Sequence, residues 1–277
     1  MKEQSMHTDA HRYSRWPRLS AIALRWKLYR WFKIWRGIIR THLFGGRYST
    51  FIDRDWWNDY YETANIDDAH TVEPEKGLYP TLVHYNGVEN IILSHLFNNG
   101  ITVSGSSVLD IGSGAGHWID FYSKLGAARV HGVELSSGAA AVLTSRYADD
   151  NGIAIHNMAA NELDIPEKFD IVNAIGVMFH IVDDDEFSQT VSRLVNFLKP
   201  GGLLIVGGHF GWLDNLNVQF DSSGRVNKRL RSKRHWIRLL ESLEKIAIYK
   251  NRTYRIIDAT LPESNILIAR KQAVDGA

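Results

Sequence analysis

SSVLDIGSGAGHW, residues 106–118, is the stretch on which the fold turns. Val108, Leu109 and Ile111 make a short apolar run with an acid, Asp110, set into it, and Gly112, Ser113, Gly114, Ala115 and Gly116 follow at once. That order reads as a buried strand breaking into a glycine turn, with a helix starting near His117. A backbone that turns sharply and lets a ligand approach its amides has no room for Cβ atoms, so the turn is a ligand cradle. The glycines stand at 112, 114 and 116, whereas the dinucleotide fingerprint G-x-G-x-x-G wants its third glycine at 117, where the chain has His117. The spacing therefore disfavours a nicotinamide cofactor.

Eighteen residues after Gly116 stands Glu134, closing the run Arg129-Val-His-Gly-Val-Glu134. In an open α/β sheet ligands lie beyond the carboxyl ends of the strands, and an acid there is placed to accept both hydroxyls of a ribose. Beyond this pair, apolar runs alternate with helical patterns, the signature of a doubly wound, mainly parallel α/β sheet. The expected strands are 107–111, 129–134, 153–157, 170–175 and 203–208, with helices at 116–125, 138–148 and 185–198 and closing strands at 253–259 and 265–270. Gly126 and Gly152 fall where helix ends want a left-handed residue.

Phe169-Asp-Ile-Val172 and Leu198-Lys-Pro-Gly-Gly202, the latter before an apolar run from Leu203 to Gly207, complete a recognisable order. Over Ser107 to Gly207 the chain resembles the class I S-adenosylmethionine (SAM) dependent methyltransferases, of the small-molecule kind called type 11, 12 or 25. The resemblance implies a seven-stranded Rossmann-like sheet, SAM as cofactor, and O- or N-methylation of a small-molecule, sugar or lipid-linked acceptor. Carried onto this sequence, it puts Asp110, Gly112, Ser113, Gly114, Gly116, Glu134, Leu135, Ala159, Ala160, Asn161 and Ile175 at the cofactor. It also places Tyr85, with His84 and Asn86, in a segment closing over it from upstream. Many relatives carry an Asp for the adenine amino group where this chain has about Ala159, leaving backbone amides, Asn161 or Glu162 for that role, between Leu135 and Met158. His180, just past the fourth strand, is the candidate general base, and a structural bond from it to a loop carbonyl is the competing reading. Asp183, Asp184 and Asp185 read as charge at a helix start, and no metal is expected. A SAM-binding module without catalysis and a polyamine-synthase-like aminopropyl transferase remain as alternatives.

The chain has 277 residues, no cysteine and a net charge of +1. Disulfides and thiolate metal sites are thereby excluded. The small net charge hides an asymmetry, for residues 10–52 hold ten Lys or Arg and no acid, in front of an acidic remainder. Over residues 21–42, Leu24, Leu28, Trp31, Trp35, Ile38 and Ile39 share one helical face, opposite Arg25, Arg30, Lys33, Arg36 and Arg40. Such a helix lies on an anionic membrane surface or packs on the domain behind it; charges interrupt it too often for a span, and no secretory h-region is present. An organellar transit peptide also fits the composition, although four Trp between 16 and 35 are unusual for one. The domains read as 1–50, a basic Trp-rich extension; 51–105, a helical lead-in; and 106–271, the transferase, with 209–250 as its acceptor-site insertion. That insertion is read as a loop, 211–224, then seven cations from Arg225 to Arg238 leading into a helix that reaches Leu243. The cations either hold an anionic group on the acceptor or form a solvated face. No nucleic-acid module pattern is visible, the expected location is the cytoplasm with peripheral contact at a membrane, and the oligomeric state is left open.

Overall fold

The computed structural model describes residues 54–63, 66–68, 78–220, 225–253 and 264–273, together with Leu28, Phe32, Trp35 and Ile39. Two helices come first, α1 (Arg54–Thr63) and α2 (Leu78–Asn98). Then follow β1 (Ser107–Ile111), α3 (His117–Lys124), β2 (Arg129–Glu134), α4 (Ser137–Arg146), β3 (Ile153–Asn157) and β4 (Phe169–Ile175). A 3-10 turn at Met178–His180, α5 (Asp184–Phe197) and β5 (Leu198–His209) lead to a hairpin, β6 (Leu216–Phe220) and β7 (Val226–Leu230). The last elements are α6 (Lys233–Leu239), β8 (Leu243–Asn251) and β9 (Ser264–Lys271).

Seven strands form one sheet in the order β3-β2-β1-β4-β5-β9-β8. The first five run parallel and β9 is antiparallel to both its neighbours. Strand order reverses at β1, between β2 and β4, which opens a crevice at the carboxyl ends of these strands. Alternation along β1 builds the two sides of the core: Leu109 and Ile111 join the cluster under α5 and α6, with Phe187, Leu194 and Trp236, while Val108 joins the one under α2, α3 and α4, with Ile92, Ile119 and Leu143. Helix α5 starts where Asp183 accepts from the N–H groups of Asp185 (3.0 Å) and Glu186 (2.9 Å), so one acid of the triple-Asp run is an N-cap.

The carboxyl third departs from the sequence reading. A strand not expected from the sequence, β8, lies at 243–251 beside β9, while the strand expected at 253–259 falls on residues outside the described set (254–259), as do 73–77 and most of 1–53. Helix α6 ends at Leu239, and Leu243 opens β8 instead of closing that helix. Leu240 and Leu243 are apolar at helical spacing, but Leu243 and Ile248 alternate equally well against β9 once a register shift between Glu244 and Ala247 is allowed. Of the cations from Arg225 onward, Lys228 and Arg229 lie on β7, whose partner β6 falls within the span read as a loop.

Arg231 ties this hairpin down. Its side chain is almost completely buried, donating to the carbonyls of Ile181 (2.6 Å), Arg229 (3.2 Å) and Asp183 (3.3 Å) and to Asp184 Oδ1 (2.8 Å), with the guanidinium 4.0 Å over the Phe187 ring. Burial pulls its pKa down to about 10 against the pull of Asp184, so it stays charged at neutral pH. Replacing Arg231 by Met leaves three carbonyls without their donor and should lower the unfolding free energy by about 2–3 kcal/mol. Urea denaturation measures it, and an unchanged midpoint would show that the clamp contributes nothing.

Candidate functional site

The crevice is a cleft of about 510 Å³ whose walls come from the turn after β1, the ends of β2, β4 and β5, and helices α1 and α2. Of the residues the sequence placed there, Tyr85, Gly112, Ser113, Gly114, Glu134, Leu135, Ala159, Ala160, Asn161, Ile175 and His180 all line it. His84 lines it too, whereas Asn86 is exposed on the outer side of α2.

Asp110 and Gly116 do not line the cleft. Asp110 is fully buried within the sheet, accepting from Asn173 Nδ2 (2.7 Å), which also receives the Tyr122 hydroxyl at its Oδ1 (3.1 Å). Burial raises the Asp110 pKa to about 7 against the opposing bonds from Asn173 and Ser113. Gly116 caps α3 with φ of 89°, and a Cβ there would stand 2.7 Å from the Tyr147 hydroxyl and 2.9 Å from Leu143 Cδ2. It is a glycine because α4 packs against it. Gly112 answers to the cleft side: its φ is +71°, and Val177 Cγ2 lies 2.7 Å from where a Cβ would be.

Glu134 stands at the end of β2, 5 % exposed. The Gly114 N–H donates to its Oε2 (2.8 Å) and the Ser136 N–H to its Oε1 (2.9 Å), so the glycine turn and the start of α4 grip one carboxylate. Burial raises its pKa, and the backbone donors of Ser136, Gly114 and Leu135 oppose that rise. Each oxygen keeps lone pairs for a further donor.

His117, the residue that breaks the dinucleotide spacing, locks α2 to the turn. Its ring lies 3.4 Å from the Tyr85 ring at an interplanar angle of 7°, with Nε2 2.9 Å from Glu89 Oε1 and Nδ1 3.3 Å from Asp68 Oδ2. Toward β3 the cleft is walled by Leu135, Met158, Ala159, Ala160, Asn161 and Glu162. Asn161 Oδ1 is buried there without a hydrogen-bond partner, and Glu162 is paired with Arg54 at 2.7 Å. Helix α1 crosses above, held also by Asn58 Oδ1, which accepts from the Ser137 N–H (3.0 Å). It lends the cleft Arg54, Trp57 and Tyr61, which the sequence reading passed over. Their signal was the density of Trp56, Trp57, Tyr60 and Tyr61 on ten residues of helix.

The opposite end is lined by Trp57, Phe179, His180, His209, Lys228 and Ser264. His180 Nδ1 lies 2.7 Å from the Asn227 carbonyl, an acceptor only, so Nδ1 carries the proton and Nε2 keeps its lone pair. Trp57 packs edge-on against the ring at 4.9 Å. Burial, with the nearby Lys228 cation second, pulls the His180 pKa down to about 3 against the bond to Asn227. A group with that value is neutral across the physiological range and is a poor proton acceptor. In ¹⁵N-histidine spectra, His180 should remain the neutral Nδ1–H tautomer from pH 8 to pH 5; protonation within that interval would contradict the assignment.

Residues 108–202 match the family profile described as a methyltransferase domain. Among curated proteins the chain is 38 % identical over 162 residues to the ubiquinone biosynthesis O-methyltransferase of Rhodopseudomonas palustris, covering 56 % of this chain and 57 % of that one. It is 28 % identical over 125 residues to protein arginine N-methyltransferase 6 of Xenopus laevis, covering 44 % and 36 %. The chain thus matches 57 % of the length of the first relative and 36 % of the second, less than two thirds of either. Among solved structures it resembles 1,6-didemethyltoxoflavin-N1-methyltransferase of Burkholderia thailandensis, with bound 1,6-didemethyltoxoflavin and S-adenosylhomocysteine (TM-score 0.57, 18 % identity, 79 % of this chain and 86 % of that one). It also resembles magnesium protoporphyrin IX methyltransferase of Synechocystis PCC 6803 with bound SAM (TM-score 0.56, 16 % identity, 81 % and 99 %). The fold is the Rossmann-like sheet with a reversed terminal strand. Residues 108–202 thus carry the methyltransferase-domain profile, and the solved neighbours share the fold around it.

Proposed function

We propose that the protein binds SAM and transfers its methyl group to a small-molecule or lipid-linked acceptor. The observation that carries this reading is the buried Glu134 carboxylate, gripped by two backbone amides yet with lone pairs left at the cleft surface, where a ribose diol would donate. Asn161 Oδ1 fits the same ligand, since a buried acceptor without a partner takes an adenine amino group in place of the Asp absent at Ala159. Leu135 and Met158 would flank that base, and the turn from Gly112 to Gly114 would receive the methionine end. Bound SAM supplies the electrophilic methyl carbon and its own leaving group, so the chain's task is to position the acceptor and exclude water.

The neutral His180 is suited to accept a hydrogen bond from an acceptor hydroxyl or amine at Nε2, orienting it without taking its proton. Lys228, beside it and 5.5 Å from the Phe179 ring centroid, is the cation that would favour an acceptor able to carry negative charge. Calorimetric titration with SAM tests the cofactor site. Glu134→Ala should weaken binding by about 2–4 kcal/mol, and Asn161→Leu by about 1 kcal/mol. Unchanged affinity in Glu134→Ala would sink the assignment, while tight binding with no methyl transfer to any extract would favour a SAM-binding module without catalysis.

An anionic membrane surface is proposed as a partner of the amino-terminal helix. Leu28, Phe32, Trp35 and Ile39 are helical, fall within one face, and are 62 %, 65 %, 44 % and 44 % exposed. Ten Lys or Arg and no acid accompany them over residues 10–52. Among the described residues no helix is long and apolar enough to cross a membrane. The full chain should float with phosphatidylglycerol vesicles at low salt, and replacing all four residues by Ser should leave it at the bottom of the gradient. Equal flotation of both proteins would remove the helix from the interaction.

A further inference from the structure

A second set of exposed apolar residues follows the strand that ends in the cleft wall. Strand β5 carries His209 into the cleft wall, and Trp212 follows three residues later, within about 11 Å of it along the chain. Trp212 is 58 % exposed and Leu213 49 % exposed. Their loop is pinned to the start of α6 by a bridge between Gly211 and Ser232 and by Asp214, which accepts from the Ser232 N–H (3.1 Å) and from Arg238 (3.0 Å). The inner side of α6 is fastened to the end of β5 by Trp236, stacked on Phe210 with centroids 5.7 Å apart. Its outer side presents Ile237, 46 % exposed, with Arg234 and Arg238.

The charges on α6 beside this cluster are cationic, and the one neighbouring acid, Asp214, engages only Arg238 and His235 of them. Arg229 and Arg231 are consumed by Asp184, and Lys228 faces the cleft. Arg234 is exposed and Lys233 half-buried, and neither makes an ion pair among the described residues. Arg238 shares Asp214 but keeps 64 % of its side chain in solvent. Helix α2 offers a contrast: Tyr79, Leu82, Val83, Leu93 and Phe97 are also exposed there, but its 21 residues include no Lys or Arg. An apolar patch edged by cations matches an anionic lipid surface, whose interior takes Trp, Leu and Ile and whose headgroups take the guanidinium and ammonium groups.

We infer that Trp212, Leu213 and Ile237, with Lys233, Arg234 and Arg238, form a second docking surface for an anionic bilayer, at the mouth of the acceptor end of the cleft. The inference rests on the reading of such a membrane as the chain's partner and adds an orientation to it. With this patch on the bilayer, the cleft opens at the headgroup level, and a lipid-linked acceptor reaches His180 and Lys228 without crossing bulk water.

The chain has no cysteine, so one introduced thiol is a unique label. Leu213→Cys and, as a second variant, Ile237→Cys would be coupled to a nitrobenzoxadiazole dye in the full-length protein. Phe32→Cys would report on the amino-terminal helix, and Asp149→Cys, exposed just before β3 at the other end of the sheet, would be the control. With vesicles of phosphatidylglycerol and phosphatidylcholine, the dyes at 213 and 237 should shift to the blue and brighten, reversing at high salt, while that at 149 stays unchanged. Pure phosphatidylcholine should give little response. In unlabelled protein, joint replacement of Trp212, Leu213 and Ile237 by Ser should lower vesicle affinity by about tenfold or more. Silence at 213 and 237 with a response at 32 would overturn this surface and leave the helix reading standing. Silence at all three would overturn both. A change at 213 that follows protein concentration without vesicles would assign the patch to a second copy of the chain and overturn the inference as well.

Discussion

A buried carboxylate has to find donors, and the arrangement of the cleft follows from how Glu134 finds them. Carrying the acid at the end of β2 into a site with 5 % exposure would cost several kcal/mol if it stood alone. The Gly114 and Ser136 amides offset that cost. For both to reach it, the chain after β1 must turn with its amides pointing toward β2, and this is why positive φ recurs at Gly112, Gly114 and Gly116. The same contact joins two βα units across the crevice, so the ligand-binding geometry and the register of β1 against β2 are one constraint seen twice.

The parallel half of the fold was legible because its signals are local. A hydrophobic run, a glycine turn and an acid at a strand end are each written in consecutive residues, and β1, β2 and β3 occupy the spans expected of them. The carboxyl third was not, because its elements depend on partners distant in sequence. Strand β8 is a strand because β9 is beside it, and its Lys245 at φ of 51° and its register shift blur the period-2 pattern. The hairpin was hidden by charge: Val226-Asn-Lys-Arg-Leu230 buries its ends and Asn227 while showing two cations to a sequence reader.

Within the site, residue identity indicated chemistry but not environment. His180 stands where a catalytic base would be sought, yet the carbonyl of Asn227, four dozen residues away in the chain, favours its Nδ1–H tautomer, and burial with Lys228 disfavours its protonated form. Asp110 and Gly116 belong to the motif by spacing, but one is enclosed with Asn173 in the sheet and the other is there to admit Tyr147 and Leu143. They support the cradle from behind and do not line the cleft. Helix α1 is the reverse case: three of its side chains enter the cleft although it lies some fifty residues upstream of the motif.

The run of cations from Arg225 to Arg238 shows how far composition can mislead about a charged segment. Read as one feature, it is a basic stretch with a single role. Folded, it divides according to which side of β7 and α6 each residue occupies. Arg229 and Arg231 turn inward to Asp184 and fix the hairpin, which in turn presents the Asn227 carbonyl that sets His180. Lys228, the residue before Arg229 and so on the other side of the strand, reaches the cleft. Lys233, Arg234 and Arg238 lie past the clamp on α6, facing outward beside Ile237. The Asp184 clamp on Arg229 and Arg231 thereby fixes the position of Lys228 at the cleft relative to the cations on α6, so the two ends of this basic stretch are held in one rigid relation by a single acid.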